Sequence, residues 1–159
     1  MTQEFLQDAV AEDLREVFKH YLVKNSNGTG RAVNIYAQDV PIREGEDETE
    51  NGDDLPEPYI VVRTTAGSLP EPDREQEITL ALIICVWDEN RDRQGHRDVL
   101  HIVYVILERY GANDIVGKRY QIKFPIKWAT QEEDTHPYYF AGMALTFDAP
   151  AIFKEVPET

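Results

Sequence analysis

The chain has 159 residues, 42% of them hydrophobic and 29% charged, which is the size and mix of one compact domain rather than two. A chain of this length buries enough surface to fold without disulfides or a structural metal. Sixteen Lys plus Arg stand against thirty Asp plus Glu, and the resulting charge of −14 repels phosphate backbones and anionic lipid, so tight nucleic-acid binding is not expected. Cys85 is the single cysteine and lies in an apolar run, which implies a buried thiol and a reducing compartment. The opening MTQEFLQDAVAEDLR is acidic where a signal peptide is basic, and no apolar run approaches the roughly 18 residues of a membrane span. The expectation is a soluble, unprocessed protein.

In chain order, Phe5, Ala9, Val10, Leu14, Val17, Phe18 and Tyr21 recur at helical spacing and predict an amphipathic helix ending near Asn25, where NSNGTG supplies turn residues. Val33 and Ile35 alternate as a short strand that Pro41 closes. Eight of the fourteen residues from Glu44 to Glu57 are acidic (Glu44, Glu46, Asp47, Glu48, Glu50, Asp53, Asp54 and Glu57), a composition that predicts an acidic flexible loop over about 43–57. PYIVVR then makes a short strand, and the proline-rich LPEPDRE a loop.

From Gln76 to Trp87 one face carries Ile78, Leu80, Leu82, Ile84 and Val86, while the other changes from Glu77 and Thr79 to Ala81, Ile83, Cys85 and Trp87. Such a strand is central, with a helix under one face and more protein, from this chain or a neighbouring subunit, on the other. DENRDRQGHRD leads into a second helix with an apolar stripe of Val99, Leu100, Val103, Ile106, Leu107 and Tyr110, which Gly111 can stop. Tyr120, Ile122, Phe124, Ile126 and Trp128 alternate with polar residues, and Pro125 points to an edge or a strand break. After ATQEEDTHP, a last strand shows Tyr139, Ala141, Met143, Leu145 and Phe147 on one face and pairs antiparallel with the strand before it. The fold class is α+β: a single domain with a mostly antiparallel sheet of about five strands and two main helices.

Little here points to catalysis. His20, His96, His101 and His136 are too scattered for a metal, and neither cofactor nor enzyme activity is expected. Asp98 and His101 are three apart on the second helix and read as a surface polar pair, because no serine or cysteine nucleophile accompanies them. Asp88 and Glu89 read as solvated loop or helix-entry acids rather than a catalytic acid/base pair. Gly28 and Gly30 lack the GK[ST] of a phosphate loop. The aromatics Trp128, Tyr138, Tyr139 and Phe140 flank acids rather than bases, so they read as core and edge packing, or as an interface anchored by Trp128 and one tyrosine.

The stretch from Pro58 to Pro150 resembles bacteriophage tail-terminator and tail-completion proteins. The likeness rests on PYIVVR, on ITLALIICVWDENRDRQGHRDVLHIVYVI, and on YQIKFPIKWATQEEDTHPYYFAGMALTFDAP. Within these, Asp88, Gly95, Arg97, Asp98, Pro125, Ile126, Trp128, Pro137, Tyr138, Tyr139, Phe140, Gly142, Met143 and Pro150 carry the pattern, with His96 where an aromatic residue is commoner. The acidic stretch has no match in it. The resemblance implies a structural virion protein, made in a bacterial cytoplasm, that forms a homo-oligomeric ring, a hexamer, at the head-proximal end of the tail tube. There it ends tube growth and presents a surface to the head connector or neck protein. Its partners are then itself, the tube protein and the connector, with no membrane. Trp87, Trp128, Gln131, Glu132, Glu133, Asp134 and His136 are the expected interface, and the acidic loop an expected lining of the ring's lumen. A neck adaptor is the neighbouring alternative, and an acidic DNA mimic that inhibits a nuclease or repressor a third.

Overall fold

The computed structural model describes residues 2–24, 30–40, 57–89 and 92–150. In chain order these form α1 (Thr2–Val17), β1 (Leu22–Lys24), β2 (Gly30–Ala32), β3 (Asn34–Ala37), β4 (Tyr59–Ser68), β5 (Gln76–Trp87), α2 (Gln94–Ala112), β6 (Ile115–Val116), β7 (Tyr120–Thr130) and β8 (Tyr138–Ala149). Six strands make one sheet in the order β3-β4-β5-β8-β7-β6, antiparallel throughout except that β3 runs parallel to β4, while β1 and β2 form a separate two-stranded ribbon. The architecture is the expected α+β domain. The sheet has six strands rather than about five because β6 is only two residues long, too short to show alternation, and is specified by its pairing with Tyr120 and Gln121.

The alternation of β5 decides the layering. Ile78, Leu80, Leu82 and Ile84 are fully buried and join Ile60 and Val62 of β4 and Ala141, Met143, Leu145 and Phe147 of β8 in one core beneath both helices. α1 adds Leu6, Val10, Ala11 and Leu14, and α2 adds Val99, Ile102, Val103, Ile106 and Tyr110. α1 lies against β3 and β4, α2 against β5 and β8, and the sheet curls until β6 at its far edge also reaches α1. The turn after β6 makes that approach at Gly117, which has φ +60, and where a Cβ would stand 3.1 Å from Ala9.

Three expectations are corrected. α1 ends at Val17, not near Asn25: a tight turn follows, with Tyr21 N–H donating to the Phe18 carbonyl at 3.1 Å, and the helix-like spacing of Phe18 and Tyr21 instead sets their rings edge to face. Phe5 does not belong to the buried stripe, being 55% exposed, because Leu6 takes the inward position. The clean alternation of β7 also fails in its second half. β7 takes four steps from Lys123 to Lys127 while β8 takes two from Thr146 to Ala144, so the ladder is interrupted around Pro125, which has no N–H to donate. Phe124 and Trp128 are left 59% and 48% exposed.

Candidate interaction surface

Both helices lie on one face of the sheet, and the register places the other face's side chains in two zones. At the end where β5 finishes and β8 begins, Tyr59 stands opposite Cys85, Cys85 opposite Phe140, and Trp87 opposite Tyr138. Val61 and Ile83 pair beside them, and Tyr36 and Tyr59 rings are 6.2 Å apart. Val61 and Cys85 are buried yet stand outside the main core, Tyr138 is exposed, and Tyr138 stacks on Phe140 at 6.4 Å. Gly142 and Ala144 of β8 and Ala129 of β7 continue this zone as a shallow, exposed floor. At the opposite end the same face is polar. Lys123 bridges Glu77 at 3.2 Å and Asp148 at 3.8 Å, and the Thr79 and Thr146 hydroxyls meet at 3.1 Å.

Burial pushes the Cys85 thiol up to about 12, against a hydrogen bond from Tyr59 that lowers it, so almost no thiolate forms near neutrality. Burial likewise holds the Tyr59 hydroxyl above its ordinary range, with Cys85 adding to the effect. Among the described residues no three His, Cys, Asp or Glu side chains gather to hold a metal. No described helix is long and apolar enough to cross a membrane.

The polar residues singled out by sequence fall at the rim. Trp87 is half-buried at the end of β5. In the β7–β8 loop, Glu132, Glu133 and Asp134 are exposed, whereas Gln131 and His136 are half-buried. Gln131 accepts the Phe140 backbone N–H, and His136 Nδ1 lies 3.0 Å from the Tyr139 hydroxyl. Those two residues shape the loop, as does Asp134, whose Oδ1 accepts the His136 N–H at 3.0 Å. Glu57 is half-buried beside Cys85 and Tyr59. Glu44, Glu46, Asp47, Glu48, Glu50, Asp53 and Asp54 lie outside the described residues.

Two readings of acids are corrected. Asp88 is 1% exposed rather than solvated, and its N–H donates to the Pro137 carbonyl at 2.9 Å, tying the end of β5 to the loop before β8. Asp98 takes its hydrogen bond from Gln94 Nε2 at 2.8 Å, while His101 stands edge-on to the Tyr21 ring at 5.4 Å. Burial raises the Asp98 pKa above its ordinary value; Gln94 and His101 oppose the shift, and Asp88 and Asp92 add to it. Gly95, in the first turn of α2, lies so close to Tyr139 that a Cβ there would enter the ring. Asp88, Gly95, Asp98, Pro137 and Tyr139, which the sequence pattern holds in two separate stretches, are thus one lock joining the β5–α2 and β7–β8 connections. Sequence reasoning missed Phe124 and Tyr104 as exposed aromatics; strand alternation hid the first, and the second lies outside the helical stripe of α2.

No protein-family profile and no curated protein matches the sequence. Several solved structures are similar, among them one with a TM-score of 0.57 at 12% identity, over 99% of this chain and 99% of that one. At that identity the likeness is one of fold, and it spans the whole length of both chains.

Proposed function

We propose that this protein is a structural component of a phage or prophage tail, forming a homo-oligomeric ring at the head-proximal end of the tube, where it stops polymerisation and receives the head. The observation that carries the proposal is the helix-free face of the sheet, whose aromatic end (Tyr36, Tyr59, Trp87, Tyr138, Phe140) lies next to the exposed acids of the loop 132–134. A sheet with helices on one side only and an apolar zone on the other suits a subunit that completes its burial against a neighbour. The resemblance to tail terminators from Pro58 to Pro150 supplies the identity of the assembly, and the lock between its separated stretches explains why those residues recur together.

Sedimentation velocity over a wide concentration range, followed by negative-stain imaging, tests the ring. A closed particle of about six subunits with a central hole is expected, as cyclic assemblies require. A chain that is monomeric at every concentration counts against it. Labelled protein added to headless tails is then expected at one tail end; label confined to tailless heads favours a neck adaptor instead.

A further inference from the structure

Among the described residues each edge of the sheet is only half paired. β3 pairs with β4 over Tyr59–Val62, so the outer edge of β4 through Ala66, Gly67 and Ser68 has no strand beside it among the described residues. β6 pairs with β7 at Tyr120 and Gln121 alone, which leaves the outer edge of β7 from Phe124 to Thr130 equally open. The two open halves lie on opposite edges and at opposite ends of the sheet, since Ser68 pairs beside Glu77 near the start of β5 and Thr130 sits opposite Ala141 near the start of β8.

Their chemistry is opposite too. From Ile115 to Thr130 the chain carries Lys118, Arg119, Lys123 and Lys127 and no acid, and Phe124 and Trp128 are exposed there. The tip of the β4–β5 hairpin is exposed and carries Glu71, Asp73 and Glu75 against the single Arg74, beside Leu69 at 47% exposure. A slot between α1 and the open half of β4, lined by Gln3, Thr65, Gly67, Ser68 and Gln76, runs up to that tip. Gln76 is 5% exposed, and its Nε2 is buried without an acceptor among the described residues. A strand entering the slot brings carbonyl oxygens to it.

We propose that the open half of β7 pairs antiparallel with the open half of β4 in a second copy of this chain, and that this heterologous contact repeats around the ring; the inference rests on the ring-forming function above. The strand directions fit, because β4 and β7 are antiparallel through β5 and β8. In such a pairing the acidic tip of one copy runs down past Phe124 to meet Lys123, Lys118 and Arg119 of the next. The diagonal offset of the open halves displaces each copy along its strands, the stagger that closing a sheet of tilted strands demands. Lysine on an open edge also keeps monomers apart, but here two exposed aromatics accompany it and the matching edge carries the opposite charge.

Two charge-reversed chains test the contact, each checked for its fold by circular dichroism: Lys118→Glu with Arg119→Glu, and Glu71→Lys with Glu75→Lys. Each alone is expected to assemble at least about tenfold more weakly than the wild type in sedimentation velocity, and an equimolar mixture is expected to restore particles of wild-type mass, because every contact then joins opposite charges. If a variant loses its fold, Ser68→Cys with Phe124→Cys in a Cys85→Ser chain is expected to give a ladder of copies joined by disulfides on mild oxidation. Wild-type rings with either charge variant assembling normally, with no restoration on mixing, or with no ladder overturn this contact and leave the ring standing. A wild-type chain that never assembles overturns both.

Discussion

Gly95 is where a single atom decides the most. Its missing Cβ lets the first turn of α2 lie on the Tyr139 ring, so Gly95→Ala is expected to destabilise the fold by about 1–3 kcal/mol, the range for overpacking a filled site. Denaturant unfolding checks this, and Tyr139→Leu in the same chain should recover part of the loss, since the two sites are in contact. Asp98 gives a pH signature. Burial raises its folded-state pKa, so the folded chain keeps a proton that the unfolded chain releases, and stability falls as pH rises from the ordinary value of 3.8 through the folded-state pKa. Asp98→Asn keeps an acceptor for Gln94 and is expected to flatten that slope in urea midpoints measured across the acid range; an unchanged slope would refute the assignment.

At the scale of elements, one ion pair joins the two helices among the described residues. Arg109 of α2 donates through Nε at 3.2 Å and Nη2 at 2.8 Å to Asp13 Oδ1 of α1, with both side chains about one-fifth exposed, and Arg109 also reaches the Asn113 carbonyl beyond its own helix end. Asp13→Ala is expected to lower stability by about 2 kcal/mol, the scale of a charged hydrogen bond left half-made, as read by thermal or denaturant unfolding. The fully exposed Lys123 bridges contribute little beside it. β7 is the element whose two halves differ most: its first half is clamped between β6 and β8, while its second, beyond the interrupted ladder at Pro125, leaves Trp128 half-exposed.

For the whole molecule, the separation of a structural core from an open aromatic zone makes stability and assembly separable. Trp128→Ala removes a half-exposed ring and is expected to leave the unfolding midpoint within about 0.5 kcal/mol of the wild type while weakening assembly. The converse holds for Ile106→Ala in the buried stripe of α2, which is expected to cost about 2–5 kcal/mol, again by denaturant unfolding. A Trp128→Ala chain that loses stability as Ile106→Ala does would place Trp128 in the core after all.

Long periodic stretches declared themselves in the sequence. The β5 alternation, the α2 stripe and the β8 face are each set by side chains that must all reach one core, so period alone identifies them and the α+β class with them. The end of α1, the ribbon of β1 and β2, and β6 were illegible, because two or three residues carry no period and depend on a partner distant in the chain. The candidate surface divided in the same way. Its aromatic face was readable from β5, whose second half is apolar on both sides, but the exposure of Phe124 and Trp128 came only from the interrupted ladder, and the burial of Asp88 and half-burial of Asp98 only from the docking of two loops. Composition and local spacing are properties of neighbours in the chain; edges, locks and open strand halves are properties of neighbours in space, which only the folded sheet brings into being.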